Sequence, residues 1–296
     1  MTTISRRAAL GGLAGSVLLP VSAAVGQAKT ISAREVFAEI KRASGQYWNP
    51  NPTDDRIIFG DREVPVTGIA TCFFSSMAVL RQAKAAGLNY IIPHEASFYE
   101  RYDDLAEFVL PDSDPVIRAK QRFVTDNHMV IQRMHGHAHS RPGDAITTGL
   151  LRQLGWDRYR APDRQGRPIV QLAPATAMEV GRQIKQKMGR RTLRMFGDPN
   201  RRVSTISVSA GMPGENVHIS QLETPGGDAV YLGEVREPEV LGYAQDMAAT
   251  RPIVVYLVGH TNEDPGMGII ADWLKTVFPS LPVRWIPTID PYSNPV

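Results

Sequence analysis

Strand-like and helix-like segments alternate along nearly the whole chain, and this rhythm is the strongest constraint on its fold. Runs 66–71, 88–93, 129–134, 203–209, 229–232, 253–258 and 283–287 are short, apolar and rich in β-branched residues. Such runs read as strands. Segments 76–86, 114–127, 145–154, 237–248 and 267–278 fall between them with apolar residues at helical spacing. Ser32 with Glu35 and Thr176 with Glu179 are capping-box pairs, each opening a helix. Gly87 and Gly155 stop helices, and Pro115 follows Asp114 where a helix begins. Strands alternating with helices predict an α/β class, a layered fold with a central, largely parallel or mixed sheet flanked by helices. Segments 157–168 and 210–228 are rich in Pro, Gly and Arg and read as loops.

The histidines make this rhythm informative. Ile91-Ile92-Pro93 runs into His94-Glu95, and residues 130–134 run into His135-Gly136-His137-Ala138-His139. Residues 254–258 run into Gly259-His260, with Glu263 and Asp264 close behind. Each group follows the C-terminal end of an apolar run, the edge of an open α/β sheet where ligands collect. Three segments distant in sequence can therefore meet at one sheet edge. Imidazoles mixed with carboxylates suit a divalent transition metal. In an extended stretch, His135, His137 and His139 would point to one side. His128 and His218 lack this context and read as ordinary. Asp144 and Asp264 stand where they could cap helices instead of binding anything.

Composition narrows the class. The 296 residues are 43% hydrophobic and 21% charged, ordinary for a soluble globular protein. Residues 1–28 combine Arg6-Arg7, a short apolar stretch and small residues, the layout of a signal peptide. Ser5-Arg6-Arg7 with Leu10 resembles a twin-arginine export signal. The expectation is a signal over 1–28, a metal-binding domain over 29–296, and a periplasmic or secreted mature chain starting near Lys29. N-terminal sequencing of the exported protein decides that point. Without those 28 residues, 31 basic face 30 acidic side chains, a balance with no footprint for nucleic acid. No later segment suggests a membrane helix. Cys72, the only cysteine, lies in an apolar run and reads as a buried hydrophobe.

The motifs together resemble the Nif-three-like dinuclear metal-centre family, some of whose members carry the name type-two GTP cyclohydrolase. The likeness spans about residues 32–296 and rests on His94-Glu95 with Ala96-Ser97-Phe98, and on His135 through Gly143. It includes Gly233-Glu234-Val235-Arg236-Glu237, Gly259-His260 through Glu263 with Pro265-Gly266-Met267, and Ile289-Asp290-Pro291-Tyr292. The resemblance implies His94, Glu95, His139, His260 and Glu263 as ligands of two divalent ions, zinc, iron or manganese. Glu95 stands where the family has a second histidine, and His139 where it has an aspartate. One residue is missing between His260 and Glu263, which leaves Asp264 as an alternative ligand. The resemblance also implies a homo-oligomer, often a ring-shaped hexamer.

Two functions follow as expectations. One is a metal-dependent hydrolase acting on a small molecule, with His135 or His137 as proton shuttle or ligand support. The other is a non-catalytic periplasmic protein that binds or delivers metal. A His-x-His-x-Asp-His hydrolase motif is excluded because Ser140 occupies its last position.

Overall fold

A computed structural model describes residues 30–48, 55–104, 111, 113–161 and 168–293. The signal-peptide segment 1–28 lies outside the described residues. Helix α1 (Ala33–Ser44) opens on the expected capping box: Ser32 Oγ accepts from Glu35 N, and the Glu35 carboxylate accepts from Ser32 N at 2.8 Å.

The first sheet contains β1 (Ile57–Phe59), β2 (Ile69–Cys72), β3 (Tyr90–Pro93), β4 (Val130–Gln132) and, from the far end of the chain, β11 (Val283–Trp285). Their order is β1-β4-β3-β2-β11, parallel except for β1. Helices α2 (Met77–Ala85) and α3 (Pro115–Asp126) form its crossovers. The connection from β4 carries α4 (Gly136–Ser140) and α5 (Ala145–Leu154).

The second sheet contains β5 (Arg160–Ala161), β6 (Ile169–Thr176), β7 (Arg194–Phe196), β8 (Arg202–Val208), β9 (Ala229–Leu232) and β10 (Val254–Leu257). Its order is β5-β6-β8-β9-β10-β7, with β8, β9 and β10 parallel. Helices α6 (Ala177–Lys187), α7 (Glu215–Leu222) and α8 (Glu237–Ala248) accompany it, and α9 (Asp264–Val277) leads back to β11.

The expected α/β layering is thus present, distributed over two mixed sheets. Alternate residues explain why the strands are apolar throughout. Tyr90 and Ile92 enter the core beneath α1 and α9, whereas Ile91 enters the one holding Val79, Leu80 and Val124 of α2 and α3. Tyr231 and Tyr256 face one core of the second sheet, Val230 and Val255 the other. Strands covered on both faces leave no side for polar residues. Cys72 is fully buried, and burial pushes its thiol up, as expected of an inert core residue.

The sequence reading missed β1, β5, β6 and β7. The first two are only three and two residues long, and β6 has just one buried residue, Val170. The loop expected over 210–228 is corrected: it contains α7, which buries only His218, Gln221 and Leu222 and so lacks an apolar stripe. His218 is wholly buried with neither ring nitrogen hydrogen-bonded among the described residues, and burial lowers its pKa to about 4. Helix α9 begins at Asp264, three residues before the expected start. It crosses α5 where Gly149 meets Gly266, and a Cβ on either would strike the other helix's backbone. This contact brings the connection after β10 against the one after β4. No helix among the described residues is long and apolar enough to cross a membrane.

Candidate metal centre

Three chain segments supply the site, and the local fold dictates what each presents. After β3, the turn at His94-Glu95 is held by the end of β2: His94 N donates to Cys72 O and Phe73 O, and Glu95 N to Phe73 O at 2.7 Å. Buried Arg133 braces the same turn through Nε to His94 O (3.2 Å) and one terminal nitrogen to Glu95 Oε2 (3.4 Å).

After β4 the chain does not stay extended. The carboxylate of buried Asp55 accepts from His135 N (2.7 Å) and His137 N (2.8 Å), satisfying the exposed amides of a helical turn. Helix α4 therefore replaces the expected extended stretch. Residues four apart share a helix face, so His135 and His139 point together, with ring centroids 5.2 Å apart. His137 points the other way. It is fully buried between Trp48 and Trp273, with Nδ1 hydrogen-bonded to Tyr47 O and Nε2 3.0 Å from Ser44 Oγ. The catalytic role expected of His137 is corrected, because its ring is a core residue beneath the helix.

Beyond β10, Gly259 takes φ 93°, and His260–Glu263 forms a 3-10 turn. Side chains three apart eclipse on such a turn, so His260 and Glu263 line up despite the missing residue. Asp264 is directed elsewhere: its carboxylate accepts from Trp285 Nε1 (3.3 Å) and Thr288 N (2.9 Å). The expectation that the groups meet at one sheet edge is also corrected. His94, His135 and His139 follow strands of the first sheet, and His260 follows a strand of the second.

Glu263 is the centre of the arrangement. Its Oε2 lies 3.3 Å from His94 Nε2 and 3.2 Å from His260 Nε2, and its Oε1 is 3.8 Å from His139 Nε2. Glu95 Oε1 is 3.3 Å from His260 Nε2 and 3.6 Å from His135 Nε2. In each of three rings Nδ1 is occupied: His94 with Met134 O, His139 with Asp144 Oδ1, and His260 with Glu234 Oε2 at 2.9 Å. Anchored this way, each ring turns Nε2 inward, the usual design behind a metal-bound imidazole. His94 Nε2 and Glu263 Oε2 are buried and make no hydrogen bond among the described residues. Such orphaned donor atoms, facing one another beside further imidazoles and a carboxylate, fit a divalent cation.

The charges agree. Burial opposes the His260 imidazolium, but the adjoining carboxylates of Glu263 and Glu95 outweigh it and raise its pKa to about 11. Burial would likewise raise Glu95, yet His260 and the neighbouring histidines bring it down to about 2. Glu263 is held below the ordinary range for the same reason. Burial and the adjoining His94 push His135 down to about 3. Protonated imidazole thus balances ionised carboxylate where a metal would otherwise do so.

Asp55, Arg133, Gly211 and Glu234 were not recognised as site residues from sequence. Glu234 was visible only as part of a motif, and Asp144 only as a helix cap, although it also holds His139. Asp55 follows an Asn-Pro segment that signals a linker. Asp55→Ala is expected to cost about 2 kcal/mol, the scale for losing charged hydrogen bonds, and to weaken metal binding roughly tenfold. Urea unfolding and metal titration measure both, and wild-type values in each would refute the role given to Asp55.

A family model described as Duf34/NIF3 (NGG1p interacting factor 3) matches residues 56–291. A hypothetical protein of Staphylococcus aureus shares the fold with TM-score 0.67 at 14% identity, covering 90% of this chain and 99% of that one. A Bacillus cereus protein related to NIF3 gives 0.68 at 13%, covering 89% and 99%. Reduced HcgD from Methanocaldococcus jannaschii gives 0.58 at 13%, covering 87% and 98%. A search of curated proteins returns no match.

Proposed function

The chain belongs to the Duf34/NIF3 family, and on that premise we propose that it is an exported, metal-dependent hydrolase with a dinuclear centre. The observation that carries this reading is the convergence of three Nδ1-anchored imidazoles on two carboxylates. His94, Glu95, His139, His260 and Glu263 would hold the ions, with Glu263 between the two positions. Bound there, divalent ions supply Lewis acidity and a water acidified to a pKa of about 7. The chain's own contribution is orientation and charge. Arg133 holds Glu95 in place, Glu234 and Asp144 fix the tautomers of His260 and His139, and Phe73 walls His260 with ring centroids 5.7 Å apart.

Metal handling without turnover is the other reading. A storage site closes its donor set, whereas a catalytic one keeps a position open. The side chains of His135, His139 and His260 are 33%, 33% and 30% exposed, so the cluster opens to solvent and hydrolysis is favoured. Protein carrying about two metals per chain should cleave activated phosphoester or amide substrates, lose activity on chelation and regain it with added metal. Fully loaded protein that cleaves none of a broad panel would leave metal handling as the function.

Loading should also depend on pH. Metal needs neutral imidazole, and in the metal-free protein His260 keeps its proton up to about pH 11. Glu95 and Glu263 are already ionised at neutral pH and release none. Affinity should therefore rise at least about tenfold per pH unit between 6 and 9, with at least one proton released per chain, because burial of His139 is outweighed by Asp144 and the adjoining carboxylates, so that its raised pKa adds to the release. Calorimetry in two buffers of different protonation enthalpy counts those protons. A heat independent of buffer would contradict the charge balance described above.

A further inference from the structure

We infer that His135 is itself a metal ligand, and that with His94 and His139 it builds a nitrogen-rich position separate from a carboxylate-rich one. This rests on the dinuclear reading and divides its two positions unequally. Ligand atoms of His94, His135 and His139 lie within 4.8 Å of one another, as do those of His94, Glu95 and Glu263. A neutral imidazole has a single free lone pair, so His94 serves one ion only. The carboxylate-rich position can spare it. Glu95 Oε1 and Glu263 Oε2 both approach His260 Nε2, at 3.3 and 3.2 Å, and these three donors suffice with open places left over. On the other side, three imidazoles and Glu263 Oε1, 3.8 Å from His139 Nε2, make a four-donor set.

The state of the His135 ring fits this role. It stacks on His94 with centroids 4.5 Å apart at 12°, and it makes no hydrogen bond among the described residues. His137, two residues on, has both ring nitrogens engaged. Bonds of about 2.0 Å bring tetrahedral donors to about 3.3 Å from one another. A half-buried ring without hydrogen bonds can swing that far inward, whereas an anchored one cannot. Three imidazoles select zinc, iron, copper or nickel over magnesium or manganese, and the carboxylate-rich position is the more permissive. The nitrogen-rich position should therefore fill first and hold a borderline metal such as zinc.

The test is a cobalt(II) titration of the chelator-stripped full chain, followed by equilibrium dialysis and visible absorption. The wild type should take two ions, the first tightly and with the intense bands of a four-coordinate site. His135→Gln should retain one ion, lose those bands and weaken the tight phase by more than about 100-fold. A hydrogen-bonded supporting residue costs only about 10–100-fold. His135→Phe keeps the stacked ring and removes only the donor atom, so it should behave alike even if the Gln variant folds poorly. Zinc should displace cobalt from the tight phase, and manganese should not. If both variants bind two ions as the wild type does, His135 is not a ligand and the dinuclear reading survives. If the wild type binds fewer than two, that reading and this inference fall together.

Discussion

Glu263→Gln is expected to leave the protein folded and unable to hold its metals. Glu263 is 3% exposed, and its carboxylate lies against Nε2 of His94, His260 and His139. Glutamine fills nearly the same volume, so packing under the site should survive. What disappears is the negative charge that faces His94, His139 and His260 together. A ligand that serves both positions should cost more than the roughly 100-fold upper range for supporting residues, or about 3 kcal/mol and above. The change should also reach the metal-free state. Without Glu263 the His260 imidazolium loses one of the carboxylates that sustain it, and its pKa should fall from about 11. Titration of the His260 ring by NMR and metal content by elemental analysis test the two effects separately. Two bound metals in the variant would remove Glu263 from the centre.

Gly211→Ala should produce a comparable loss of metal without touching a ligand. Gly211 sits at φ 56°, and its N–H donates to Asn262 Oδ1 at 3.0 Å. A Cβ there would collide with Oε1 and Cδ of Glu263 and press tightly on Oε2. The neighbour that must yield is the end of a side chain, which ordinarily makes such a clash cheap. Here that end is the proposed central ligand, so relief of the clash would displace it. Strain at positive φ adds about 1 kcal/mol of instability. Gly214→Ala separates the two effects, because φ is 108° there and nothing lies within 4 Å of the new Cβ. Gly214→Ala should lower stability and spare metal binding, whereas Gly211→Ala should weaken it at least tenfold. Equal affinities in the two variants would show that the clash does not matter.

Both substitutions probe contacts invisible in the linear sequence. Gly211 meets Glu263 because residues following β8 and β10, neighbours of β9 on either side, come together beyond its end. The segment 210–214 signals a turn and nothing more. The same holds for Asp55, whose partners are 80 and 82 residues away. Legibility depended on range. Residues His94, Glu95, His139, His260 and Glu263 are implied by the motifs that carry the family resemblance, because a motif is a local pattern. The residues that aim them are not, because aiming is done by hydrogen bonds from other segments.

What the sequence determined by itself is the apolar strands, the amphipathic helices between them and the placement of histidines just beyond those strands. Hydrophobic periodicity, the Ser32 and Thr176 capping boxes and the glycine stops are properties of a few consecutive residues, so they act wherever the chain goes. Only the tertiary structure decided that the strands divide into two sheets, since pairing depends on which edges meet. It also decided the sense of residues 135–140. Their amides are satisfied by Asp55, which makes the segment helical, sets His135 and His139 towards Glu95 and Glu263 and buries His137. Which of Glu263 and Asp264 faces the histidines was decided in the same way. Trp285 and Thr288 claim the Asp264 carboxylate, and the 3-10 turn stacks Glu263 under His260. Adjacent acidic residues are chemically interchangeable until distant donors engage one of them, and those donors exist only once the chain has folded.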